Sequence, residues 1–109
     1  MRTPLAHSAR KKYPPQTYEA HVRGVCERAG EYAAEAECYS VKANGILSTI
    51  VRDSALLHDL GKLEERNQSV LREQSRRRRH LPVDHTDAGS AALQKMGSGC
   101  AAMLVYSHH

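Results

Sequence analysis

From residue 17 onward, apolar and polar positions recur with a helical period. Val22, Val25, Cys26, Ala29, Tyr32, Ala33 and Ala36 return at steps of three and four, while Arg23, Glu27, Arg28, Glu31 and Glu35 take the opposite face. The pattern predicts an amphipathic helix with Thr17 at its N-cap, although Ala20 stands where a capping box wants an acid. Asn44-Gly45 breaks the pattern. A second stripe then runs through Ile46, Leu47, Ile50, Val51, Ser54 and Leu57 to His58, so His58 falls on or beside the buried face. Gly61 is placed to stop that helix in the left-handed conformation.

Residues 63–80 are strongly polar and predict a short helix carrying Val70 and Leu71, followed by the run Arg76-Arg77-Arg78-Arg79. After Leu81-Pro82, a small-residue helix is expected from Thr86 to Met96 through Ala88, Ala91, Ala92 and Leu93, with Thr86 or Asp87 near its cap. Gly97 and Gly99 flank a turn, and Cys100 to His109 begins a last helix. Residues 1–16 read as an extended arm ending at Pro14-Pro15, and no strand pattern, repeat or hinge stands out. The expectation is one all-α domain, residues 17–109, preceded by the arm.

Composition narrows this reading. A chain of 109 residues holds one core at most. With no Phe or Trp and five tyrosines, that core is built from aliphatic residues and alanine, which suits close-packed helices. The formal charge of +4 and pI near 9.2 point toward anionic partners. Cys26, Cys38 and Cys100 form no CxxC pair, which argues against a disulfide framework or zinc knuckle and predicts small buried hydrophobes in a reducing cytoplasm. No apolar stretch approaches the roughly 20 residues of a membrane span, and the N-terminus lacks the apolar segment of a signal peptide.

The histidines carry the candidate chemistry. His21 opens the first predicted helix, His58-Asp59 closes the second, His85 precedes the small-residue helix and His108-His109 ends the last. Imidazole with carboxylate suits Mn, Fe, Co, Ni or Zn better than Mg or Ca, which prefer oxygen alone. Taken singly, each histidine is ordinarily a surface, capping or hydrogen-bonded core residue, and His108-His109 also fits the start of a purification tag. The arginine run equally suits a solvated loop, and Lys62 equally offsets Glu64 and Glu65.

The stretch ALLHDLGK at residues 55–62 resembles the signature of the HD superfamily of metal-dependent phosphohydrolases. The ordered series YEAHVRGVCERAGEYA, ALLHDLGKLEERNQSVL, VDHTDAGSAAL and AAMLVYSHH resembles more narrowly the HD nuclease domain of the CRISPR-associated helicase-nuclease of type I systems. LAHS at residues 5–8 is similar to the short segment that often opens this domain.

The resemblance implies an HD-type helical bundle holding one or two transition-metal ions. It implies metal ligation by His21, His58, Asp59, His85, His108 and His109, with Asp59 able to bridge two ions. Lys62 matches the lysine that faces a substrate phosphate. The implied activity is hydrolysis of single-stranded DNA in CRISPR antiviral defence, with Asp59 and Lys62 catalytic. Lys62 and Arg76, Arg77, Arg78 and Arg79 would hold the backbone electrostatically. The implied partners are a helicase domain or subunit and a CRISPR RNA-guided surveillance complex, in the cytoplasm and without a membrane.

Two departures from the family pattern bear on this. A further aspartate, well downstream of the His-His pair, is expected past His109 together with the remaining helices, so the chain matches the N-terminal part of the domain. The family's FQ-like step reads Asn67-Gln68, which removes an aromatic from the expected core. Two other readings stand beside the nuclease: an HD nucleotide phosphohydrolase using His21, His58, Asp59 and His85, and a non-catalytic HD fragment that binds partners or nucleic acid.

Overall fold

Thr17 Oγ1 accepts from the Ala20 N–H at 3.1 Å and starts the longest helix, α1 (Tyr18–Glu37), as the sequence predicts. The computed structural model describes residues 2–73, 81–84 and 86–108. Among the described residues, four further α-helices follow in chain order: α2 (Ile46–Leu57), α3 (Glu65–Arg72), α4 (Thr86–Lys95) and α5 (Gly99–His108). The chain is mostly helical, in agreement with the all-α expectation.

Helix α1 packs along α2, and α4 and α5 pack on each other and on α2. The joint between α1 and α2 is made by a side chain that sequence pattern gives no hint of. Gly45, at φ 78°, precedes α2 and has no side chain to cap it. Glu37, at the end of α1, instead accepts from the Ser48 N–H at 2.7 Å. That bond holds the Glu37 carboxyl below its ordinary pKa.

The innermost cluster is Leu93 from α4 with Ala101, Ala102 and Val105 from α5, packed against Ile50 and Leu57 of α2. Small residues let these helices approach closely. A Cβ at Gly89 would overlap the carbonyl oxygen of Leu57, so α4 rests directly on the last turn of α2. Ser90 Oγ donates across the seam to the Ala102 carbonyl at 3.0 Å, while Ser54 Oγ donates to the Ile50 carbonyl of its own helix at 2.7 Å and lies 3.3 Å from the Ala101 carbonyl, so the hydroxyls at the seams are satisfied.

Several sequence expectations are corrected. The arm is not simply extended: β1 (Leu5–His7) pairs antiparallel with β2 (Gln16–Thr17), and Arg10 and Tyr13 close the turn between them with two backbone hydrogen bonds. Three residues facing two are too short to register as a period. Gly61 is not left-handed, since only Gly45 and Gly97 have positive φ among the described residues. Helix α2 ends at Leu57, and Gly61 lies buried inside a 3-10 turn, Leu60–Leu63. Tyr32, predicted on the buried stripe, is 73% exposed, and Cys38 and Cys100 are exposed while Cys26 is half-buried.

The Asn67-Gln68 step also has a structural meaning. Glu64 caps α3 through the Arg66 and Asn67 N–H groups, and the helix then buries Asn67 (0% exposed) and Gln68 (4%). Asn67 Nδ2 donates to the carbonyls of Gly61 and Val83, and its Oδ1 accepts from the Val83 N–H. Gln68 Oε1 accepts from the Leu5 N–H, and its Nε2 donates to the carbonyls of Leu5 and Lys62. Where an aromatic would fill space, two amides join the 3-10 turn to strand β1 and to the segment 81–84.

Candidate metal centre

The site is built where α2 ends. His58 continues the right-handed backbone for one residue past Leu57, and Asp59 leaves it (φ −112°, ψ 19°), so both side chains turn inward and are buried. The Lys62 N–H bonds the Asp59 carbonyl at 2.9 Å, which folds Lys62 back over the aspartate. His21 approaches from the start of α1. His21 Nε2 stands 3.0 Å from Asp59 Oδ2, His58 Nε2 is 3.3 Å from the same oxygen, and the two imidazole nitrogens are 3.3 Å apart. Lys62 Nζ reaches that oxygen at 3.1 Å.

The electrostatics follow from this crowding. Burial pushes the Asp59 carboxyl up, but the hydrogen bond from His58 and the Lys62 ammonium outweigh it and hold the group well below the ordinary carboxylate range. The His58 pKa is raised by its hydrogen bond to Asp59, against the opposing effect of burial. That of His21 is lowered, chiefly by burial, with the charges on His58 and Lys62 adding to it and Asp59 opposing. Of the two imidazoles, His58 thus holds its proton to higher pH than His21. His58 Nδ1 donates to the Ala55 carbonyl at 2.6 Å, which directs Nε2 at the cluster.

His21, His58 and Asp59 form a group of potential metal ligands whose donor atoms all lie within 4.8 Å of one another. Their edges of 3.0, 3.3 and 3.3 Å match the spacing of neighbouring ligands around a cation with bonds of about 2.1 Å, which is near 3.0 Å for right-angled ligands. Two imidazoles and one carboxylate form a donor set for a borderline transition metal. The residues present fit such an ion.

The remaining site expectations divide. His108 lies in α5 with its ring centroid 6.0 Å from that of His58, near the cluster but not among the three converging donors. Lys62 is placed at the site, although its side chain, 12% exposed, is directed at Asp59 rather than outward. His85, His109 and the run Arg76, Arg77, Arg78 and Arg79 lie outside the described residues. Sequence reasoning missed His7 as a site residue, yet its ring packs edge-on against His21 at 4.8 Å. The segment LAHS was the available signal. A groove of about 230 Å³ between α1, α2 and α5 is lined in part by His58 and His108.

A mostly helical chain with three converging side chains that could hold a metal ion is what the fold and site define. Comparison with protein families, curated proteins and solved structures found no match. No helix among the described residues is long and apolar enough to cross a membrane.

Proposed function

We propose that the chain is an HD-type, metal-dependent phosphodiesterase that cleaves single-stranded DNA in CRISPR antiviral defence. The observation that carries the reading is the convergence of His21 Nε2, His58 Nε2 and Asp59 Oδ2 within 3.0–3.3 Å of one another, beside Lys62. The ordered resemblance of the surrounding segments supplies the reaction and the substrate, and the +4 charge is compatible with a polyanion.

A bound divalent ion of the Mn, Fe, Co, Ni or Zn type would supply Lewis acidity, bringing a water pKa toward neutrality and polarising a phosphoryl oxygen. Burial lowers the His21 pKa and the His58 bond and Lys62 lower that of Asp59, and both shifts favour the deprotonated forms that ligation needs. His58 would ligate through Nε2 with no proton there, while its Nδ1–H stays on the Ala55 carbonyl. Lys62 neutralises Asp59 until a phosphate offers its ammonium a second acceptor. In this reading His85, His108 and His109 complete the ligand set, Arg76 to Arg79 grip the strand backbone, and a helicase with an RNA-guided complex delivers the strand.

Metal analysis with cleavage assays tests this. Retained metal and Mn- or Ni-dependent cutting of single-stranded DNA, lost in Asp59→Ala, is the expected result. Hydrolysis of nucleotides without DNA cleavage would replace the reading with a small-molecule phosphohydrolase. Neither activity would leave a binding module.

A further inference from the structure

The two imidazoles of the triad are not held alike. His58 has its second ring nitrogen fixed on the Ala55 carbonyl. His21 engages the cluster through Nε2, and no protein group among the described residues is hydrogen-bonded to its Nδ1. A ligating histidine ordinarily has that nitrogen engaged, which fixes ring orientation; losing such support costs roughly 10- to 100-fold in metal affinity.

What lies against His21 is the ring of His7, with centroids 4.8 Å apart and planes at 86°. This is the edge-to-face arrangement that paired rings favour. His7 is held there firmly. Gln68 takes both backbone groups of Leu5 at 2.8 Å, and Ser8 Oγ donates to the Leu71 carbonyl at 2.8 Å, so β1 is fastened on both sides of His7. His7 is not one of the converging donors, so any effect it has on the ion passes through His21.

We infer that His7 is a positioning residue: its ring orients the His21 imidazole, taking the place that the Ala55 carbonyl has for His58. The inference rests on reading His21, His58 and Asp59 as a metal site, and it extends that site to a strand that contributes no ligand.

The test uses the full chain with His7→Ala and His7→Phe. Co²⁺ affinity is measured by calorimetry, and the histidine ring resonances are recorded in the metal-free protein. His7→Ala should weaken Co²⁺ binding roughly tenfold or more, and it should shift or broaden the His21 ring signals while leaving those of His58 in place. His7→Phe restores a ring without nitrogens and should return both readouts close to wild type. Wild-type Co²⁺ affinity and unchanged His21 signals in His7→Ala would overturn the inference. A His7→Phe variant as impaired as His7→Ala would also overturn it, because a ring nitrogen would then be the working group. If the wild-type chain binds no Co²⁺, the metal reading fails by itself, and the metal-free His21 signals in the two variants still support or overturn the positioning role.

Discussion

Lys62 Nζ and His21 Nε2 share one oxygen: Asp59 Oδ2 receives them at 3.1 and 3.0 Å. The aspartate is thus already compensated before any ion arrives, and the lysine is both partner and competitor. Replacing it separates the two roles. Lys62→Met keeps the length of the side chain and removes the charge, so a divalent ion meets less repulsion. Co²⁺ or Mn²⁺ should bind tighter by on the order of tenfold, while DNA cleavage falls. Calorimetry paired with a cleavage assay reads both, and equal metal affinity in the two proteins would contradict the competition.

Metal binding should depend on pH with a definite sign. Hydrogen bonding to Asp59 raises the His58 pKa, so as pH falls a proton is taken up at this imidazole before His21, whose pKa burial lowers, and that proton competes with an ion. Affinity therefore weakens as pH falls from about 7.5 to 5.5, through the ordinary histidine range near 6.5. Calorimetry in buffers of different ionisation enthalpy should show proton release accompanying the ion. A pH-independent affinity would contradict this.

Acid stability should report Asp59. Its folded pKa lies below its unfolded one, so its contribution is complete above about pH 4 and is lost as pH falls through the depressed folded value. Asp59→Asn should destabilise the protein by about 2 kcal/mol near pH 6, and the gap to wild type should narrow below pH 4. Melting temperatures across that range measure it.

The amide clamp should matter as much as the apolar core. Asn67→Leu removes the side-chain partner of the Val83 carbonyl and N–H and leaves the Gly61 carbonyl with the Glu64 N–H alone. The expected cost is about 2–4 kcal/mol. Leu93→Ala, which opens a cavity at a fully buried position, should cost about 2–5 kcal/mol. Urea denaturation compares them, and an Asn67→Leu variant as stable as wild type would show that the clamp does not contribute.

Helix starts and the inward placement of His58 were legible because each rests on a local signal, a capping threonine or a periodic stripe. Two features were not. The strand pair is too brief for its alternation to be read, and its seat is made by Gln68, 63 residues away from Leu5 along the chain. The end of α2 was misread because glycine permits the left-handed stop without requiring it; Gly61 lies buried in the 3-10 turn, where its carbonyl accepts from both the Glu64 N–H and Asn67 Nδ2. At the site, adjacency in sequence marked His58 and Asp59, and resemblance brought in His21. His7 escaped because LAHS marked only a segment, and the contact of its ring with His21 is a matter of packing that no spacing shows. Exposed Tyr32 shows the limit of periodicity itself: a stripe names a face, while neighbouring helices decide how much of it is covered.

The bonds between Leu5 and Gln68 set an order of assembly. Strand β1 can pair with β2 early, but its fastening to Gln68 waits until α3 has been made, whereas His21, His58 and Asp59 are joined through the contact of α1 with α2. A nascent chain thus completes its three donors before it closes the wall beside them. In the finished protein, loss of the Gln68 bonds would loosen the strand and uncover His21 while the contact of α1 with α2 keeps the three donors together.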